Sequence, residues 1–101
     1  FNMVNHIVLW SLKPELSEEE KQEAKAEIKR RLEGVKDRVE GVISLEVRAQ
    51  GLPSSSRDLA LISSFVSREA LEGYQTHPAH LEAASYVRAK TCDRACFDYE
   101  G

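Results

Sequence analysis

The side chains best suited to chemistry in this chain are its three histidines and a tyrosine placed among them. Tyr74-Gln75-Thr76-His77-Pro78-Ala79-His80 brings a phenol and two imidazoles into one short segment, while His6 stands far away near the N-terminus. Imidazole titrates near neutral pH and so can take or give a proton under ordinary conditions, and a phenol can donate a hydrogen bond to a developing oxyanion. Six positions apart on an unbroken helix, Tyr74 and His80 would lie on different faces. His77-Pro78 interrupts the helix between them, which lets the two converge at the junction. Each residue also has a purely structural use. His77, just before Pro78, reads as an N-cap bonding a free helix amide. His80 suits the surface or a hydrogen bond to a nearby backbone carbonyl, His6 a hydrogen-bonded place in the core, and Tyr74 a packed ring with a bonded hydroxyl.

Other constellations carry less. Asp58, Asp93 and Asp98 are separated in sequence and lack the spacing of a calcium loop or a two-metal centre. Cys92 and Cys96 are four apart on an expected strand, where they would point the same way about 13 Å apart, beyond disulfide reach. No further Cys or His at zinc spacing accompanies them, so they read as buried reduced thiols. A Gly-rich phosphate loop, a Ser-His-Asp order and a dinucleotide fingerprint are all missing. No metal and no cofactor are expected.

The elements that must position these residues alternate along the chain. Val4 to Leu12 is apolar on both alternating sets, with Val4, Val8, Trp10 and Leu12 on one and Ile7 and Leu9 on the other, which predicts a strand covered on both faces. Ser17-Glu18-Glu19-Glu20 is a capping box, and Ala24, Ile28, Leu32 and Val35 follow at helical spacing. Lys29, Arg30 and Arg31 fall in the last turns and Gly34 offers a stop, so the helix is predicted over about 17–33. From Gly41 the period becomes two, with Ile43, Leu45, Val47 and Ala49 on one side of a strand. Gln50 to Ser56 is rich in breakers, and Asp58 to Val66 completes a hairpin. Ser67 caps a short helix through Ala70, Leu71 and Tyr74; Pro78 opens another through Leu81, Ala84 and Val87; and a last strand covers about Cys92 to Tyr99. The order β-α-β-β-α-β is the ferredoxin-like α+β arrangement, an antiparallel sheet with helices on one face. Helices alone cannot cover both apolar sides of the first strand, and a second copy on the bare face would bury it.

A chain of 101 residues, 42% hydrophobic and 31% charged, fits one small domain. That domain is expected over 4–100, with Phe1 and Asn2 before Met3 reading as an expression remnant. Lys+Arg 14 against Asp+Glu 17 leaves a net charge of -3 with the cations scattered, which disfavours a nucleic-acid partner. The longest apolar run, Ile7 to Trp10, is far short of the roughly 20 residues that cross a bilayer, and no secretory signal is visible. No membrane association and a cytoplasmic location are expected.

His6-Ile7-Val8-Leu9-Trp10, the Asp58–Phe65 strand, the Tyr-x-x-His-Pro-x-His segment over 74–80 and the closing Phe97-Asp98-Tyr99 together resemble the stress-responsive α/β-barrel family, Dabb, from Val4 to Tyr99. The resemblance implies a ferredoxin-like unit that dimerises so that two sheets close into an α+β barrel, hence a homodimer. It also implies roles. A plant polyketide cyclase of that family uses a His and a Tyr for an intramolecular aldol condensation, and its motif falls on Tyr74 and His80, with its first-strand His on His6. By that resemblance His80 is the candidate base, Tyr74 the oxyanion donor and His6 a third catalytic candidate on the same side of the strand as Val8 and Trp10. A pocket lined by Val8, Trp10, Leu61 or Ile62, Leu71, Leu81 and Val87 would hold an apolar, aromatic or polyketide-like ligand. The other reading is a non-enzymatic, stress-associated dimer whose histidines serve only caps and core bonds.

Overall fold

A strand that is apolar on both alternating sets belongs in the interior of a sheet, and β1 (Val4–Leu12) takes that place. The computed structural model describes residues 2–101. After β1 come α1 (Glu18–Val35) with a 3-10 turn at Lys36–Arg38, β2 (Val42–Arg48), β3 (Leu59–Phe65), α2 (Arg68–Thr76), α3 (Pro78–Lys90) and β4 (Thr91–Glu100). All strand pairs are antiparallel in the order β2-β3-β1-β4, the ferredoxin-like α+β fold expected, with its second helix in two pieces. No helix among the described residues is long and apolar enough to cross a membrane.

Residues directly opposite each other in an antiparallel pair share a face. Val4, His6, Val8 and Trp10 oppose Phe65, Ser63, Leu61 and Leu59, and all eight are buried beneath the helices. Ile7 and Leu9 oppose Ile62 and Ala60 on the side that no helix covers. The capping box forms as expected: Glu20 N–H donates to Ser17 Oγ at 3.1 Å, and Ser17 N–H donates to Glu20 Oε1 at 2.8 Å. Ala24, Ile28, Leu32 and Val35 are the buried stripe of α1.

Three local expectations need correction. Gly34 does not stop α1; the helix runs on to Val35, because that residue extends the buried stripe, and the positive-φ turn falls at Gly41 (φ 87°). A Cβ at Gly41 would also lie 2.6 Å from that of Ala70, so glycine is required there twice over. Lys29, Arg30 and Arg31 consequently sit short of the final turn and pair with Glu33 and Glu27. In β2, Ile43 is not on the buried side with Leu45 and Val47. Val42 pairs with Phe65 and Ser44 with Ser64, so Ile43 is the extra residue of a β-bulge and is exposed.

The third correction concerns the cysteines. Cys92 opposes Ser11 and Cys96 opposes Val8, so they face opposite sides of β4, and Cys96 is exposed rather than buried. A bulge is again the reason: between Leu9↔Ala95 and Ser11↔Cys92, the two residues Asp93 and Arg94 stand against Trp10 alone, and Asp93 takes a left-handed φ of 53°.

Candidate functional site

Beneath the sheet lies a cavity of about 200 Å³, walled by Val8 and Trp10 of β1, Leu61 of β3 and Val87 of α3, with His6, Tyr74 and His80 projecting into it. The α2–α3 junction explains how residues six apart meet. Pro78 starts α3, and His77 turns the chain in an extended conformation (φ -67°, ψ 137°). The rings of Tyr74 and His80 come to 4.3 Å between centroids. His77 itself is the N-cap, its Nδ1 accepting from Ala79 N–H at 3.0 Å. Leu71 and Leu81 are not in the cavity wall. Leu71 is buried in the core on the same stripe of α2 as Tyr74 but does not line the cavity, and Leu81 is 49% exposed, off the Ala79, Ala83, Val87 stripe that α3 buries. Of Leu61 and Ile62, it is Leu61 that faces inward, since Ile62 opposes Ile7 on the open side.

Tyr74 is fully buried, with its ring 5.0 Å from Phe65 and 6.4 Å from His6. The hydrogen-bonded hydroxyl expected of a structural tyrosine is not found; Tyr74 Oη is the one buried side-chain oxygen or nitrogen without a partner among the described residues. Leaving such a group unpaired costs about 1–3 kcal/mol, so this hydroxyl is a donor suited to a partner that the protein itself does not supply. Burial pushes the phenol up to about 12, which keeps its proton in place at neutral pH.

His80 is half-buried, and its Nδ1 lies 3.2 Å from the Gln75 carbonyl oxygen, to which Nδ1–H donates. Burial lowers its pKa; the Gln75 bond opposes this, and the charges of His6, Arg88 and Arg94 add to the lowering. The imidazole is therefore neutral at pH 7, with its lone pair on Nε2. His6 is buried, and its Nδ1 lies 2.5 Å from Asp98 Oδ1. Nδ1–H donating to that carboxylate fixes the ring.

The sequence assigned Asp98 no role at this site and did not single out the cavity-lining Arg88 and Arg94. Asp98 opposes His6 across the β1–β4 ladder, and the β4 bulge at Asp93-Arg94 accompanies the placing of Arg94 at the cavity beside Trp10. Strand register could have found Asp98, but that register depends on a bulge with no glycine to mark it. Chemically, the cavity offers two imidazoles, one phenol donor and two guanidinium groups against an apolar wall.

A four-stranded antiparallel sheet with helices on one face and a histidine–tyrosine cavity between them defines a small ferredoxin-like α+β domain. Residues 4–101 match the Stress responsive A/B Barrel Domain, Dabb, and the chain belongs to that family. It is similar to a dimeric, ferredoxin-like protein of unknown function from Bacteroides fragilis, with 31% identity over 98% of this chain and 96% of that one, at a TM-score of 0.91. A Dabb family protein from Mesorhizobium loti is 20% identical over 98% and 96% of the two chains, with a TM-score of 0.73. The hydroxynitrile lyase of Passiflora edulis shares the fold at 17% identity, over 98% and 93% of the chains and a TM-score of 0.74. No curated protein matches this chain.

Proposed function

We propose that this protein is a homodimer whose cavity binds an apolar or aromatic small molecule carrying a carbonyl oxygen, and that His80 and Tyr74 act on it without a cofactor, in the manner of a polyketide-cyclase-like lyase. The observation that carries this reading is the unpartnered Tyr74 hydroxyl beside the His80 ring. A buried donor with no acceptor is suited to a ligand oxygen, and an oxyanion is the acceptor it would favour most. His80 Nε2 takes the proton from the carbon next to the carbonyl while Tyr74 donates to the oxygen that gains charge. His6, held by Asp98, offers a second polar group to the same ligand. Val8, Trp10 and Val87 form the apolar wall, and about 200 Å³ is room for about one aromatic ring.

The dimer rests on the open sheet face, where Ile62, Phe97 and Tyr99 are exposed beside Ile7 and Leu9. The Bacteroides fragilis relative is dimeric. That a hydroxynitrile lyase is built on the same fold leaves the reaction to be argued from this chain's residues.

Thermal-shift titration with aryl ketones such as acetophenone tests the reading, run in parallel on wild type, His80→Ala and Tyr74→Phe. A ligand that binds only the folded state adds RT ln(1 + [L]/Kd), about 2.7 kcal/mol at 100 times Kd. The expected result is a shift in the wild type that both variants lose while remaining folded. Equal shifts in all three, or none in any, would leave the histidines as structural residues in a dimer without a working cavity.

A further inference from the structure

We propose that His6, Cys96 and Asp98 form a binding site for a zinc-class divalent cation, with zinc or cobalt as occupant and a fourth position open to water. The site is built where the edge strand β4 pairs with β1. His6 opposes Asp98 and Val8 opposes Cys96, so imidazole, thiol and carboxylate lie on one face of two adjacent strands. One donor atom from each falls within 4.8 Å of the other two.

Two of the three donor separations already suit a tetrahedral ion. Cys96 Sγ is 3.7 Å from His6 Nδ1 and 3.5 Å from Asp98 Oδ1. Ordinary zinc bond lengths to sulfur, nitrogen and oxygen at tetrahedral angles place such pairs about 3.6 Å apart. The third edge, His6 Nδ1 to Asp98 Oδ1, is 2.5 Å because a proton holds it. A cation replaces that proton, and the edge opens to about 3.4 Å by a movement of Asp98, whose side chain is 40% exposed and free to yield.

The donor set selects the ion. One nitrogen and one thiolate suit a borderline-soft metal and disfavour magnesium or calcium, which take oxygen. Thiolate and carboxylate together supply two negative charges that match the 2+ charge of the ion, with the guanidinium of Arg94 bordering Cys96. Cys96 and Asp98 are both exposed at the sheet edge, which gives the ion its entry path, while His6 is anchored in the core. Coordination through Nδ1 leaves Nε2 of His6 to the cavity, so the ion would take over the orienting role of Asp98. Nothing here depends on the catalytic reading above.

Titration of metal-free protein with cobalt tests the site, because a thiolate ligand produces an intense near-ultraviolet charge-transfer band and an oxygen-only site does not. The expected result is one cobalt per chain with that band, displaced by zinc. Cys96→Ser should abolish the band and weaken zinc binding by at least about 10-fold, whereas Cys92→Ser should change neither. Cys96 is exposed, so its replacement leaves the fold intact, as circular dichroism would verify. A wild type without the band, a band that survives Cys96→Ser, or equal zinc affinity in the wild type and Cys96→Ser would overturn the proposal.

Discussion

Along β1, the even-numbered side chains Val4, His6, Val8, Trp10 and Leu12 are buried under the helices, and the odd-numbered Ile7 and Leu9 look out from the open face. The two faces depart from the usual distribution in opposite senses. Inside, a histidine, a serine and an unpaired phenol are enclosed, with Ser63 Oγ donating to the His6 carbonyl at 2.7 Å. Outside, Phe97 is 68% exposed, with Ile62 and Tyr99 beside it. Single exposed apolar residues are ordinary, but an apolar patch and buried polar groups are informative, and here they lie on the two faces of one sheet. The period of two joins them: a slip of one residue would carry the histidine out and the open-face apolar residues in, so register ties the two faces together.

The largest expected effect separates the faces. Ile62→Glu with Phe97→Glu places charge on the open side of the sheet without touching the cavity. Each apolar side chain buried in an interface is worth about 1.5–3 kcal/mol, and a two-fold axis counts every substitution twice. Sedimentation equilibrium should show the wild type as a dimer and the double variant as a monomer, with association weakened by at least about 100-fold. A variant that still sediments as a dimer would show that the open face is not where the copies meet.

Tyr74→Phe probes the inner face with one atom. Removing an unpaired buried hydroxyl relieves a desolvation penalty of about 1–3 kcal/mol, so the variant should be as stable as the wild type or more so. Ligand binding or turnover should nevertheless fall by about 10–100-fold, because the oxyanion donor is gone. Chemical denaturation and the ketone titration together give both numbers. A loss of stability would instead reveal that the hydroxyl has a partner in solution, and the contrast between the faces would narrow.

The fold was legible because its signals are local and agree with one another: the capping box at Ser17, the double-sided Val4–Leu12 strand and the His77-Pro78 break each mean one thing. The site was legible only in part. Tyr74, His77 and His80 lie close together in the chain, and the Pro78 break explains their convergence. Asp98 and Cys96 reach His6 only through the β1–β4 register, at sequence separations of 92 and 90. Leu81 was misplaced because it is apolar and near the histidines, whereas the phase of a helix broken at residue 77 has to be counted afresh from Pro78; Leu71, before the break, is buried in the core but does not line the cavity. Ile43 and the cysteines were misread at bulges, where one extra residue inverts the faces and leaves no compositional trace.

A smaller effect belongs to His77, the histidine that the cavity does not use. Its Nδ1 bond to Ala79 N–H caps α3, and losing an N-cap costs about 1 kcal/mol. For a domain of this size His77→Ala should lower Tm by about 4–8 °C while leaving ligand binding within about two-fold of the wild type. A variant that keeps its Tm but loses binding would move His77 from the frame of the site into its chemistry.

The smallest expected effect is a pH dependence, and its sign follows from the burial of His80. In the unfolded chain the imidazole takes up a proton near pH 6.5; in the folded protein, burial lowers that value. Above about pH 7 the ring is neutral in both states and contributes nothing. As pH falls below about 6.5 the unfolded state binds the extra proton first, so stability declines until the folded-state pKa is passed and the loss is complete. Glu27, held down at about 2 by Arg30 and Arg31, titrates in a separate window, because its contribution is lost only as pH falls below about 4.5. Urea midpoints measured from pH 7.5 to 5 should therefore drop in the wild type, and drop less in His80→Gln. Identical slopes would mean that His80 is fully solvated when free of ligand, and that the inner face closes around it only when the cavity is filled.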